Sequence, residues 1–479
     1  MCQEILTFGE CLEAWMKKSG HNITSLSTLT NQRSNTTISR LIHDQCSVQR
    51  CRVFIDELIA SIPSLTDEDI QKLTQSLDVS RFGKERYLSH QNFARLLKAG
   101  VSLSATQEGS ELPPLAKEIM SRPGVNPKEI LCFGCMESGF LDALSRLLLC
   151  NDTLTIAHYF AEDHHRSISS LLPDVMPMLY NSRYELISVR RVAPLQPSCI
   201  AMQDAILVRY EDGNGEMIIP GENGVMYTWL FDPNNDLFSF YQRLLSRTDK
   251  DQQRYGHMYS GSAPADYHTF LNDCLEREQN RAIWLLKPDI GIEYLPVHIV
   301  NANFQEMIRT THPEFADAAP GIVECFMARY RNLFSKRQTS HLILCREGMT
   351  AFARTGLLSD HPFFLRPFTP QERVEIFEHL IDKSINNPYF HLLLFSDPKM
   401  QLSHTFVCHD KLALLLCNAH TDYNLKSDYK EIIIPSPAIV EQFRDFVMNV
   451  IIKKQTDPEN ACIDFFRHLI RIAKSCDKG

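Results

Sequence analysis

Between Gly100 and Ala116 the chain reads Gly-Val-Ser-Leu-Ser-Ala-Thr-Gln-Glu-Gly-Ser-Glu-Leu-Pro-Pro-Leu-Ala, and this break constrains the fold most. Small and polar residues, a Pro pair and no regular apolar spacing give neither a helix nor a strand a face to bury. The patterns on its two sides differ in period. Before it, apolar residues recur every three to four positions, as in helices. After it, strand-length apolar runs alternate with helical stretches, the pattern of a mixed α/β region. The expected architecture is therefore multidomain, an all-α N-terminal bundle followed by a mixed α/β region. A length of 479 residues fits roughly two to four domains of ~150 residues each. The expected divisions are 1–62 and 63–100 (helical), 101–122 (linker), 123–300 and 301–479 (α/β).

Ile5, Phe8, Leu12, Trp15 and Met16 form one helical stripe, and Ile23, Leu26 and Leu29 a second behind an Asn22 cap. A short polar segment follows, Ser34-Asn-Thr-Thr-Ile-Ser-Arg-Leu41. A packing helix with Cys51, Phe54, Ile55, Leu58 and Ile59 comes next. From Asn31 to Arg52 four arginines (Arg33, Arg40, Arg50, Arg52) face Asp44 alone, a local balance of +3 on a chain of net charge −9. Short helix, turn, polar helix and packing helix is the order of a helix-turn-helix.

Phe8-Gly9-Glu10, the helix after Asn22, and Thr37-Ile38-Ser39-Arg40 resemble the Xre/Cro-like repressor family over about residues 5–60. In that family the third helix reads the major groove of double-stranded DNA. The resemblance places that role on Ser34, Asn35, Thr36, Thr37, Ser39 and Arg40, with Arg33 ahead of them. Thr24 and Ser25 stand where the family carries a Gln, a departure from its pattern. Two half-sites square the discrimination of one, so a homodimer is expected.

Residues 129–434 hold the chemistry-bearing candidates. His409-Asp410-Lys411 has H-x-K spacing beside strand patterns and near Asn418. It resembles the phospholipase D motif, in which the His attacks phosphorus and the Lys binds its oxygens. Leu416 occupies the position of that motif's Asp, and His158, His164 and His165 lack a Lys two residues on. The C-terminal region is thus similar to a degenerate phospholipase D-like domain that binds rather than cleaves. Cys345-Arg-Glu-Gly348 follows a buried strand, where a helix N-terminus lowers a thiol pKa. A phosphatase-like loop would need more glycine, so a packed cysteine is the expectation. Cys132-Phe-Gly-Cys135 has metal-ligand spacing without a second pair, and Asp163-His-His165 with His158 reads as an exposed turn.

No glycine-rich phosphate loop appears among the 19 glycines. The fifteen cysteines are scattered, no apolar run approaches a membrane span, and no basic-then-apolar leader opens the chain. Together these give the expectation of a cytoplasmic DNA-binding transcriptional regulator, repressor-like, not an enzyme, and with no cofactor or metal. Its helix-turn-helix head would be controlled by a large α/β effector region that senses a small molecule or protein and oligomerises. The alternatives are an intracellular enzyme of phosphodiesterase type with an accessory helical module, and a protein-interaction scaffold.

Overall fold

A computed structural model describes residues 5–30, 34–98, 113–121, 125–134, 138–161, 168–179, 181, 183–189, 204–220, 226–232, 252–254, 257–259, 264–279, 281–358, 365–402, 404–409, 414–418, 429–434 and 437–476. The chain divides into two compact units, Met1–Asn92 and Phe93–Gly479.

The first unit is helical: α1 (Phe8–Ser19), α2 (Ile23–Leu29), α3 (Asn35–Ile42), α4 (Val48–Ser61), α5 (Asp67–Phe82) and most of α6 (Lys84–Lys98). Local chemistry sets the starts. Thr7 and Glu10 form a reciprocal capping box on α1, and Asn22 with Ser25 forms another on α2. Ser34, Ser47 and Thr66 each accept a bond from the third residue of α3, α4 and α5. Gly20 ends α1 at φ +73°, a left-handed conformation that glycine adopts without strain. Phe8, Leu12, Trp15, Leu26, Ile38, Leu41, Phe54, Leu58 and Leu73 form the buried core.

The second unit takes the last turns of α6, where Phe93, Leu96 and Leu97 enter its core, and then α7 (Pro114–Met120). Its body is two seven-stranded sheets. The first uses β1 (Pro127–Phe133), β2 (Thr155–Ala161), β3 (Tyr184–Val189), β4 (Ala205–Tyr210), β5 (Gly215–Pro220), β6 (Met226–Phe231) and β7 (Gln252–Arg254), with α8 (Ser138–Cys150) and α9 (Ile168–Leu179) between the early strands. The second uses β8 (His257–Tyr259), β9 (Ile283–Lys287), β10 (Ser340–Leu344), β11 (Phe390–Leu394), β12 (His404–His409), β13 (Leu414–Asn418) and β14 (Tyr429–Ile434). Its helices are α10 (Pro264–Glu278), α11 (Val297–Thr310), α12 (Ala319–Leu333), α13 (Arg346–Thr355), α14 (Pro370–Asn386), α15 (Pro437–Phe446) and α16 (Glu459–Ser475).

The two sheets repeat one topology. The first runs β6-β5-β4-β1-β2-β3 and the second β14-β13-β12-β9-β10-β11. In each, three strands are parallel (β1, β2, β3; β9, β10, β11) and three antiparallel strands follow on the side of the first. The sequence shows no convincing internal repeat, so the duplication is a finding of the structure. The consecutive short strands β7 and β8 break the symmetry: β7 pairs with β3 in the first sheet and β8 with β14 in the second.

Several elements follow directly from local sequence. Asp212-Gly-Asn-Gly215 turns β4 into β5, with Gly213 at φ +86° and the Asp212 carboxylate accepting from the Asn214 amide at 3.0 Å. The apolar run at Ile283 gives β9, buried along its whole length, Lys287 included.

Candidate functional site

The C-terminal ends of α10 and α12 meet over the second sheet. The two helices run parallel in register: the Cys325 thiol donates to Asn272 at 3.2 Å, and Arg329 grips Glu278 with three bonds of 2.6–3.1 Å. Both members of that ion pair are buried. Burial pushes the Glu278 carboxyl up and Arg329 beside it works against this, while Arg329 is held firmly charged by Glu278. Beside them Lys287, the last residue of β9, bonds Glu293 at 2.7 Å. Burial would raise Glu293, but Lys287 and Arg329 hold it at about 2. Charges removed from water this completely are stable only when paired.

His409 is the exception within this charged layer. It is the last residue of β12, opposite Ile283 at the start of β9, and its side chain shares the face of Val407 that packs beneath α10 and α12. The ring is 1% exposed, and neither nitrogen has a hydrogen-bond partner among the described residues. Burial, then the charges of Arg277, Arg329 and Arg281, lower its pKa to about 3. The imidazole is therefore neutral, with a free lone pair, in a positive field. Arg277 has Asp273 at 3.8 Å and Arg329 has Glu278, but Arg281 has no carboxylate among the described residues. Its guanidinium only reaches the Arg277 carbonyl, at 3.0 Å. The Arg281 amide donates to the Gln338 carboxamide oxygen at 3.0 Å, and the Gln338 nitrogen is itself buried without a partner.

The duplicated topology supplies an internal comparison. Tyr210 ends β4 as His409 ends β12, opposite Pro127 of β1, on the face covered by α8 and α9. Its hydroxyl donates to the Glu216 carboxylate and lies 3.1 Å from the Ile119 carbonyl oxygen. The first sheet satisfies its buried ring from within the chain. In the second, no described residue satisfies the buried ring, a situation native interiors rarely tolerate without a ligand or a function.

The other sequence candidates resolve otherwise. His158 is a satisfied core histidine, with Nε2 2.6 Å from the Gly134 carbonyl and Nδ1 2.8 Å from the Tyr184 hydroxyl. Cys345 precedes α13, but burial pushes its thiol up to about 12, so it is an inert packed side chain. Cys132 is buried, and no cluster of three or more metal-ligand side chains exists among the described residues. Cys135, Asp163, His164, His165, Asp410 and Lys411 lie outside the described residues. Arg277, Arg281, Arg329 and Gln338 were not foreseen. The one signal was the charged run Glu276-Arg-Glu-Gln-Asn-Arg281 directly ahead of a buried strand.

In the first unit, Thr24 and Ser25 open α2, and Ser25 is engaged in the capping box with Asn22. Ser34 caps α3, with its hydroxyl 3.1 Å from that of Thr37. Asn35, Thr36 and Arg40 are exposed, Ser39 is half-buried, and Arg40 reaches only the Gln45 carbonyl at 3.5 Å. Arg33 lies outside the described residues. Nothing in this bundle confirms a helix-turn-helix.

No protein-family model matches the chain, and no curated protein does. Solved structures give remote likenesses. Polyphosphate kinase from Porphyromonas gingivalis is 13% identical, with 75% of this chain and 53% of that one covered, at a TM-score of 0.22. This chain thus spans about half the length of that enzyme. Yeast tyrosyl-DNA phosphodiesterase is 11% identical over 67% of this chain and 86% of its own, at 0.19. A single-residue variant of the yeast enzyme gives 12%, 67% and 86%, at 0.21. These are enzymes of the phospholipase D-like superfamily, the direction in which the H-x-K resemblance pointed, and not transcription regulators. The expectations of a DNA-binding, repressor-like regulator and of a chain without enzymatic activity are corrected accordingly. TM-scores near 0.2 reach neither site nor substrate; the chemistry below rests on this chain's own side chains.

Proposed function

We propose that the chain is an enzyme of phosphodiesterase type, with His409 as the group that engages phosphorus. The observation that carries this reading is the neutral imidazole, without a hydrogen-bond partner among the described residues, set among Arg277, Arg281 and Arg329. A nucleophilic or basic histidine must be unprotonated, and burial, with the surrounding positive charge adding to it, keeps it so. The same charge attracts a phosphate ester and stabilises the negative charge that grows on its oxygens. Arg281, which has no carboxylate partner among the described residues, is the group proposed to bind such an oxygen. Exclusion of water from the ring strengthens these interactions and makes opening of the site a required step of turnover.

The test is hydrolysis of a generic phosphodiester such as bis(p-nitrophenyl) phosphate. Turnover by the natural chain, lowered at least ~100-fold in a folded His409→Gln variant, is expected for loss of a nucleophile or base. Absence of turnover by the natural chain overturns the reading. The near-complete burial of His409 favours one second reading, a phosphate-binding module without turnover. Phosphate affinity that falls in Arg281→Met, on a chain that hydrolyses nothing, would identify it.

A further inference from the structure

Strand β6 ends the first sheet, and among the described residues no strand pairs with its far side. Its sequence, Met226-Tyr-Thr-Trp-Leu-Phe231, carries no charge and no proline. Tyr227 is 55% exposed, Trp229 50% and Leu230 67%. The Tyr227 and Trp229 rings stand on one face with centroids 6.5 Å apart, and Leu230 lies on the other. Edge strands are ordinarily protected by charge, proline, a bulge or a covering segment. Tyr227, Thr228, Trp229 and Leu230, uncharged and exposed on both faces, show none of these devices among the described residues.

The repeated topology indicates what such an edge takes. The equivalent edge in the second sheet is β14. It carries Lys430 and Glu431 and is covered by β8, paired antiparallel with Tyr429 opposite Tyr259 and Lys430 opposite Met258. The covering segment is a short uncharged strand built on Met-Tyr. Strand β6 itself begins Met226-Tyr227. The edge that lacks a cover therefore carries the same dipeptide as the segment that covers its counterpart.

We infer that β6 is an interface with a second copy of this chain, joined by antiparallel β6–β6 pairing. A two-fold axis perpendicular to the sheet keeps like faces together, so directly opposed residues have the same parity. Centred on Thr228, it sets Tyr227 opposite the partner's Trp229. Aromatic pairs are among the most favourable cross-strand neighbours. Two first sheets then become one continuous sheet, and the uncharged edge is removed from water.

Analytical ultracentrifugation of the full chain across a concentration series tests this. The natural chain is expected to sediment with the mass of two chains, and Trp229→Lys and Leu230→Lys each with the mass of one, their circular dichroism unchanged and their thermal transitions no longer dependent on concentration. Ile385→Lys alters another exposed apolar residue, on α14, and is expected to retain the doubled mass. A natural chain that stays monomeric leaves β6 to some other partner and overturns the inference. So does a dimer that survives both β6 variants, or one that Ile385→Lys dissociates equally.

Discussion

Tyr210 and His409 end equivalent strands on equivalent faces of two sheets with one topology, and among the described residues only Tyr210 has hydrogen-bond partners. Opposite mutational behaviour follows. Tyr210→Phe removes a donor from the buried Glu216 carboxylate and is expected to cost ~1–3 kcal/mol. His409→Phe removes a polar ring that no described residue satisfies, so stability is expected to hold or to rise by up to ~1–3 kcal/mol while activity is lost. Urea unfolding of both variants reads the difference. A His409→Phe variant less stable than Tyr210→Phe would show that His409 has an internal partner.

Acid is expected to destabilise the second unit well above the carboxylate range. Burial holds His158 at about 4; burial and then the neighbouring His391 hold His341 at about 4. His409 sits at about 3. All three are lowered from 6.5, so they are neutral in the folded chain at neutral pH and impose no cost there. As pH falls below 6.5, the unfolded chain takes up protons that the folded chain refuses. Stability is lost from about 6.5 down to the folded values, each histidine steepening the slope by up to about 1.4 kcal/mol per pH unit. Urea midpoints measured from pH 7 to pH 5 should fall, and should fall less in His341→Phe. A flat profile would mean that these rings are accessible to protons.

The Arg329–Glu278 pair should show strong non-additivity. Arg329→Met strands a buried carboxylate and is expected to cost ~3–5 kcal/mol. Adding Glu278→Leu should recover most of that, because two apolar side chains replace two desolvated charges. A double-mutant cycle by denaturant unfolding decides; simple additivity would contradict the buried geometry.

Gly291 stands against Lys287 and Glu293: a Cβ there would collide with the Lys287 Nζ and the Glu293 Oε1. Gly291→Ala is thus expected to force the ion pair apart and to cost more than the usual exchange at an open turn. Gly139→Ala, in the first turn of α8 where a Cβ meets nothing within 4 Å, is the unstrained comparison and is expected to hold or gain stability. Equal melting temperatures for the two variants would show that the loop yields freely.

In the first unit, Ser34→Ala removes the cap of α3 and is expected to cost ~1 kcal/mol. Ser34→Asp keeps an acceptor at the position and should restore most of it. Thermal melting checks both.

Local features were legible because they depend on neighbours in sequence. The turn at Asp212–Gly215, the buried run at Ile283 and the Asn22 cap are each written in a few adjacent residues. The His409 layer was not. Arg277 and Arg329 come from separate helices that only the tertiary fold brings together, and the lack of a hydrogen-bond partner for the ring among the described residues has no sequence signature. The duplication escaped for a similar reason. Strand order is set by pairings over long separations, and the two halves keep the order with different side chains. The polar residues at the start of α3 have a local role that the sequence also offers: Ser34 caps the helix, with its hydroxyl beside that of Thr37.

Strands β7 and β8 act as a mechanical latch. Arg254 is fastened to the edge of one sheet and His257 to the edge of the other. The three intervening steps of chain reach no further than ~11 Å when fully extended. A pull that separates the sheets at these edges is carried by that short span. It must peel away one three-residue strand or the other before either sheet yields. Load on these two edges therefore falls on pairings of only three residues each, β7 with β3 and β8 with β14.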